Sequence, residues 1–166
     1  MLTDEQVVTL KDDMITHEDD PVAIWLAQGR LNRIVAYYNE LADPDVWVFR
    51  ESVSVESVIT SMDWGEDYAA FKDDIPGIEL LLRNGVYYPE SENARDALNT
   101  VFSSAANTKQ AILTVCTRQA TKGEALFIET ATGPGGGDGS SKPNSAIANF
   151  KGDITLDDVR AAVALI

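Results

Sequence analysis

The chain has 166 residues, enough for one domain with its own core, and 45% of them are hydrophobic, which is typical of a globular protein. It carries 27 Asp and Glu residues against 13 Lys and Arg residues, a formal net charge of −14. A surface this acidic repels phosphate backbones. The composition therefore argues against a nucleic-acid-binding protein, although DNA can pass along such a surface without adhering to it.

The cysteine content and the apolar runs restrict the environment of the chain. Cys116 is the only cysteine, which excludes an internal disulfide and a thiolate-rich metal cluster. Its apolar surroundings favour a buried structural thiol over a nucleophile. No basic region precedes an apolar run at the N-terminus, and no apolar stretch reaches the roughly 20 residues that cross a bilayer. We therefore expect no secretory signal and no membrane span, and synthesis in a cytoplasm.

Helix signals dominate the N-terminal part. Thr3 and Gln6 form a capping-box pattern, which predicts a first helix over 4–16. Asp20 and Pro21 predict the start of a second helix, because Asp caps a helix and Pro is tolerated in its first turn. Apolar residues then recur at helical spacing, so the pattern predicts one long helix over 21–43.

A strand and several short helices are predicted next. The β-branched and aromatic residues of 46–49 and 53–55 favour a strand, which needs a partner from another subunit or from 146–150. Ser54, Asp63 and Pro76 are typical helix-start residues. The short helices are predicted over 55–61, 63–72 and 77–84, the last ended by Gly85.

The C-terminal half alternates helices with one Gly-rich segment. Helices are predicted over 92–102 and 108–128, and Thr155 is expected to cap a helix over 156–165. The segment 133–144 is too polar and too rich in Gly to fold alone, so a neighbour must order it or it stays mobile. The sequence thus predicts a mainly α fold with a short β element, in three parts: a helical body over 1–130, a flexible Gly-rich arm over 131–152, and a C-terminal helix over 153–166.

Catalytic and metal-binding patterns are weak. His17 is the only histidine, and its acidic neighbours Glu18, Asp19 and Asp20 favour a solvated turn over a general base or a cation site. A single histidine and a single cysteine provide too few ligands for a zinc site. We predict no cofactor, no metal and no enzymatic activity. A small cytoplasmic enzyme or regulator that binds a metal through Asp19 and Asp20 is the alternative.

Two further motifs fail as nucleotide or catalytic sites. Lys142 in the Gly-rich segment is followed by Pro143, whereas a P-loop requires Ser or Thr there and a helix after it. Ser52, Ser54 and Ser57 lack the Gly-rich elbow and the neighbouring base of a serine nucleophile. The glycines are therefore interpreted as conformational, allowing the backbone to reach over a neighbouring surface.

Several short motifs together resemble small virion proteins of tailed bacteriophages, in the class of head-tail connector or adaptor proteins. The motifs lie in order along 20–165 and comprise Trp47–Arg50, Val53–Val55, Met62–Trp64, Thr121–Phe127, the Gly-rich arm, Phe150–Thr155 and the terminal helix. The resemblance implies a structural subunit that forms a ring, of twelve copies in this family, between the portal protein and the tail. It also implies localisation at the head-tail interface of a virion assembled in the bacterial cytoplasm, with DNA passing nearby without specific binding.

The resemblance also suggests which residues bind partners, namely the portal protein, tail or tail-completion proteins, and other copies of the chain. The predicted partner-binding residues are Trp47, Phe49, Gly135, Gly136, Gly137, Lys142, Phe150, Leu156, Val159 and Leu165. On this interpretation the arm is a docking element, so deleting Thr132–Ser145 is expected to leave a folded protein that no longer joins portal-bearing heads. A head-decoration or tail-completion protein is the alternative within the same class.

Overall fold

A computed structural model describes residues 1–16 and 21–166. The hypotheses on His17, Glu18, Asp19 and Asp20 lie outside the described residues. By its internal contacts the chain divides into two compact units, both discontinuous in sequence. The first unit comprises Met1–Val46, Gln119–Ile128 and Ala148–Ile166, and the second comprises Trp47–Arg118 and Glu129–Ile147.

About half of the described residues are α-helical, in line with the predicted mainly α class, and the strands are short and paired. The helices are α1 Asp4–Thr16, α2 Pro21–Ala27, α3 Leu31–Tyr38, α4 Val55–Ser61, α5 Tyr68–Phe71, α6 Ile75–Leu82, α7 Glu92–Val101, α8 Ala106–Val115, α9 Lys122–Ala125 and α10 Leu156–Val163. The strands are β1 Trp47–Phe49, β2 Val53–Ser54, β3 Val86–Tyr87, β4 Thr117–Gln119, β5 Ile128–Glu129 and β6 Ile147–Ala148. They pair as β1 with β4, β2 with β3, and β5 with β6. In none of the described helices is there an apolar stretch long enough to span a membrane.

Side-chain caps stabilise the starts of two helices in the first unit. Thr155 and Asp158 form a capping box at the start of α10, as Thr121 and Glu124 do at α9. Asp158 also accepts a hydrogen bond from the backbone N–H of Leu2, at 2.8 Å, which joins the N-terminus to α10. The buried core of this unit consists of Leu2, Val7, Leu10, Met14, Val22, Ile34, Tyr38, Phe127, Ile154, Val159 and Ala162.

The second unit is built around an aromatic and aliphatic core. The rings of Phe71 and Phe102 meet edge to face with their centres 5.6 Å apart. The strands β2 and β3 are antiparallel, with Val53 opposite Tyr87. The other buried hydrophobic residues of this core are Phe49, Val58, Met62, Ile78, Leu82, Leu98, Ala105, Ile112, Leu113, Cys116 and Ala131.

The predicted long helix over 21–43 is wrong, because the chain turns at Gly29. This glycine has a φ of 66°, in the left-handed region, and separates α2 from α3. The backbone N–H groups of Gly29 and Arg30 bond back to the carbonyls of Leu26 and Trp25, at 3.0 and 2.8 Å, which closes the end of α2. Helical periodicity continues across the turn because both short helices bury residues against the same core.

The predicted helix over 108–128 is also wrong in its second half. The helix α8 ends at Val115, and the chain continues as β4, which pairs with β1. Thr121 then starts the separate short helix α9 through its capping box with Glu124. A strand partner distant in sequence therefore overrides the local helical pattern here.

The structure does not confirm a projecting Gly-rich arm, since residues 131–147 belong to the second unit. Within the segment the backbone N–H of Ala131 donates to Gly137, and that of Gly137 donates to Ser145, both at 3.0 Å. The segment also reaches β1, because the Trp47 N–H donates to the Gly139 carbonyl at 2.8 Å. The neighbour that orders the glycines is thus the same chain.

Two glycines of this segment are closely packed. A Cβ atom on Gly135 would lie 2.9 Å from the side chain of Leu113, and one on Gly136 would lie 2.5 Å from the carbonyl oxygen of Ala131. The glycines therefore permit a tight approach of the segment to itself and to α8. Deleting Thr132–Ser145 would remove these contacts and the acceptor of the Trp47 N–H, so we now expect the deletion to destabilise the second unit.

Candidate functional site

The predicted partner-binding residues divide between the two units. In the second unit the structure brings Trp47 and Lys142 together, because the Lys142 Nζ lies 3.7 Å from the centre of the Trp47 ring. Gly135, Gly136 and Gly137 belong to the same unit. Phe49, in contrast, is fully buried, and so is Val159 in the first unit. Those two side chains pack in the cores of their units, and their contact with a partner stays a prediction.

The remaining predicted residues lie in the first unit. Phe150 packs edge to face on Phe127, with the ring centres 5.8 Å apart. Leu156 opens α10 and is half-buried, whereas Leu165, just after that helix, is 53% exposed. Of this group, Leu165 therefore presents the largest free apolar surface. Its contact with a partner stays a prediction.

The second unit has an exposed aromatic patch that the sequence did not predict as a site. Its residue Trp64 nevertheless lies in one of the motifs that resemble connector proteins. We define the aromatic patch as Ile59, Trp64 and Tyr68, whose residues are 41%, 50% and 43% exposed. The Trp64 indole N–H donates to the Ile59 carbonyl at 3.0 Å, and the Trp64 and Tyr68 rings lie 6.2 Å apart. The patch is therefore one continuous surface feature made of three large side chains.

Buried rings hold the aromatic patch in place. The Phe71 ring lies 5.6 Å from that of Trp64 and 5.7 Å from that of Tyr68, and it contacts Phe102 in turn. Phe71 and Phe102 are both almost completely buried. A series of rings thus runs from the core to the surface, which restricts the rotamers of the exposed rings before any partner binds.

Carboxylates lie around the aromatic patch. Asp63 Oδ1 accepts hydrogen bonds from the backbone N–H groups of Gly65 and Glu66, both at 3.0 Å, which shapes the turn that carries Trp64. Asp67 Oδ2 accepts from the Thr108 N–H at 2.6 Å and ties the turn to α8. Glu66 is exposed on the same turn. The patch therefore combines an apolar centre with an acidic border.

The two groups whose pKa burial raises, Cys116 and Tyr87, lie in the core of the second unit rather than at the aromatic patch. Burial raises the pKa of the Cys116 thiol to about 12, and it also raises the pKa of Tyr87. Both groups are thus held in their neutral forms. The predicted buried structural thiol is consistent with the complete burial of Cys116. Across residues 1–16 and 21–166 no group of three or more His, Cys, Asp or Glu residues could hold a metal ion.

No known protein family, curated protein or solved structure matches this chain significantly.

Proposed function

We propose that this protein is a structural subunit of a tailed-bacteriophage virion, a head-tail connector that joins a ring between the portal protein and the tail. The observation that carries the proposal is the aromatic patch, which presents two exposed, preorganised rings on a helical unit. The motif that includes Trp64 is also one of those on which the resemblance to connector proteins rests. The role is structural rather than catalytic.

The composition of the aromatic patch is typical of a protein-protein contact. Trp and Tyr contribute most often to the few residues that dominate binding energy, especially when their conformations are restricted beforehand. An apolar centre with a polar border is also the usual anatomy of an interface. In a chain that carries a net charge of −14, this surface best fits a partner with a complementary basic border.

The occupant that we propose for the aromatic patch is the portal protein, with basic side chains opposite Asp63 and Glu66. Ring formation would use a separate heterologous contact between copies, repeated around an axis. The acidic surface would let DNA pass without adhering, as expected from the net charge. The patch thus provides a docking surface that does not depend on a projecting arm.

The test is cosedimentation of the purified protein with portal-bearing heads that lack tails. Replacing Trp64 and Tyr68 together by Ala is expected to weaken binding by at least about thirtyfold, because even one hot-spot aromatic side chain contributes about 2 kcal/mol or more. Tyr88→Ala is the matched control, since Tyr88 is an exposed aromatic residue of the same unit, outside the patch. Circular dichroism would verify that both variants fold.

The possible outcomes distinguish a connector that docks through the aromatic patch from the other virion roles. Undiminished binding of the Trp64/Tyr68 variant would show that the portal does not dock on the aromatic patch. Binding of the unaltered protein to heads without portal would indicate a head-decoration protein, and binding to isolated tails a tail-completion protein. If the protein bound none of these particles, a connector role would be wrong.

A further inference from the structure

A cleft in the second unit collects two basic side chains of this acidic protein, and we propose that it binds a phosphate group. The cleft has a volume of about 520 Å³. Its lining residues are Arg50, Ser52, Val53, Ser54, Ser57, Thr114, Val115, Thr117 and Lys142. Among the described residues, two cations and five hydroxyl groups thus line the cleft, and no carboxylate does.

The charged side chains of Arg50 and Lys142 are both positioned by contacts within the second unit. Arg50 Nε donates to the Thr117 carbonyl at 3.2 Å, which fixes one edge of the guanidinium and leaves its two terminal nitrogens for a ligand. The Lys142 ammonium lies 3.7 Å from the centre of the Trp47 ring, a cation-π contact. Neither Arg50 nor Lys142 lies within 4.0 Å of a carboxylate oxygen among the described residues. Within the described part of the chain, neither cation of the cleft is therefore engaged in a salt bridge.

The hydroxyl groups of the cleft differ in what they can still donate. Thr114 already donates to the Gln110 carbonyl at 2.8 Å, and Thr117 donates to the Thr114 carbonyl at 2.9 Å. The Ser54 and Ser57 hydroxyls share one hydrogen bond of 2.9 Å, so one of their two protons remains for another acceptor. Ser52 also has a hydroxyl that can donate.

The hydrogen-bond donors of the cleft favour a ligand that only accepts hydrogen bonds. The terminal guanidinium nitrogens, the ammonium and the free hydroxyl protons are all donors, and an ionised phosphate has only acceptor oxygens. Two positive charges also match the charge of a phosphate group near neutral pH. A metal cation would instead require the carboxylate or carbonyl ligands that the cleft lining lacks in its side chains.

The ligand that we infer is a small phosphorylated molecule rather than nucleic acid. A net charge of −14 repels a polyanion along its whole length, whereas a single phosphate group meets mainly the local field of Arg50 and Lys142. The inference is independent of the proposed portal contact, because the cleft shares no residue with the aromatic patch and is tested on the isolated protein.

The experiment is a titration of inorganic phosphate with the full chain at low salt, observed by phosphorus NMR. Replacing Arg50 and Lys142 together by Gln is expected to weaken phosphate binding at least about tenfold, since both charge-assisted contacts are lost. Replacing Lys72 and Arg83 by Gln is the matched control: it removes the same charge from exposed residues of the same unit that do not line the cleft. Ser52→Asp, which adds a carboxylate at an exposed position, serves as a second variant.

The results show whether the cleft binds phosphate and whether that phosphate belongs to a small molecule or to a nucleic-acid backbone. Binding that is lost in the Arg50/Lys142 and Ser52 variants but kept in the control supports the site. A parallel fluorescence-anisotropy titration with a short single-stranded oligonucleotide identifies the source: no binding supports a small molecule, and binding lost in the same variants supports a backbone phosphate. Absence of phosphate binding, or equal binding by the cleft variants and the control, would overturn the site.

Discussion

The Arg95 guanidinium lies 4.5 Å from the centre of the Phe49 ring, and both residues are buried. Its Nη1 donates to the carbonyl oxygens of Pro89 and Glu90, at 2.5 and 2.9 Å, and its Nη2 donates to that of Thr132. Arg95 therefore connects α7 to the beginning of the Gly-rich segment. Burial lowers the pKa of this guanidinium, because the apolar core disfavours its charge.

We expect Arg95→Met to destabilise the protein. Methionine retains much of the volume but leaves three carbonyl oxygens without their donor, for a loss of about 2–4 kcal/mol in the free energy of unfolding. Urea denaturation measures this loss directly. Arg83→Met, at an exposed position just after α6, is the matched control and should change stability little. Equal stability of the two variants would show that the carbonyl contacts of Arg95 are energetically unimportant.

The packing of Gly136 predicts that even one methyl group is costly there. In Gly136→Ala the added Cβ would lie 2.5 Å from the Ala131 carbonyl oxygen and 2.7 Å from that of Thr132, so backbone must move. We expect a loss of about 1–3 kcal/mol, measured as a lower thermal midpoint. Gly65→Ala is the control, because its Cβ would meet only the Asp63 Oδ1 at 3.4 Å. A normal midpoint for Gly136→Ala would favour the mobile arm expected from sequence.

The carboxyl group of Asp158 is expected to make a pH-dependent contribution to the free energy of unfolding. Its burial alone would raise the pKa of the carboxyl group, but hydrogen bonds from the Thr155 hydroxyl, the Leu2 N–H and the Thr155 N–H outweigh burial, and the net pKa is lowered. A lowered pKa means that the ionised form stabilises the fold above the unfolded-state value of 3.8. This stabilisation is lost as the pH falls through the folded-state pKa.

We therefore expect Asp158→Asn to lower stability by about 1–2 kcal/mol at neutral pH, with a difference from the unaltered protein that shrinks in acid. Urea denaturation over a pH series provides the measurement. Asp157→Asn is a close control, since Asp157 is the preceding residue in the same helical turn but is exposed and pairs with exposed Arg160. A pH-independent difference would contradict the role assigned to the Asp158 carboxylate.

The buried thiol of Cys116 is expected to make the folded protein less stable at alkaline pH. Because burial raises the thiol pKa to about 12, the folded state retains a proton that the unfolded state releases above its ordinary pKa of 9.0. Stability should therefore fall as the pH rises through this interval, by at most about 1.4 kcal/mol per pH unit for one group. We expect Cys116→Ala to show a shallower alkaline decline, although its stability at neutral pH is reduced by the lost side chain. An unchanged slope would rule out titration of this thiol as the cause.

The helix starts could be predicted from sequence because their interactions are local. Ser54 accepts a hydrogen bond from the N–H of Ser57, and Ser91 accepts one from that of Ala94, as expected for N-caps three residues upstream. The predicted helices at 4–16, 55–61 and 92–102 agree with the structure within one or two residues at their ends. Such caps require only neighbours in the chain, so a single sequence contains the information.

The candidate sites depend on residues distant in sequence. Lys142 reaches the Trp47 ring and shares a cleft with Arg50 only after the Gly-rich segment has folded onto β1. The sequence by itself determined the acidic charge, the predominance of helices and the positions of their caps, because these follow from composition and from contacts within one turn. The tertiary structure alone decided that the glycines pack inside the second unit and that Trp64 stays exposed, because burial depends on which distant side chains occupy the core.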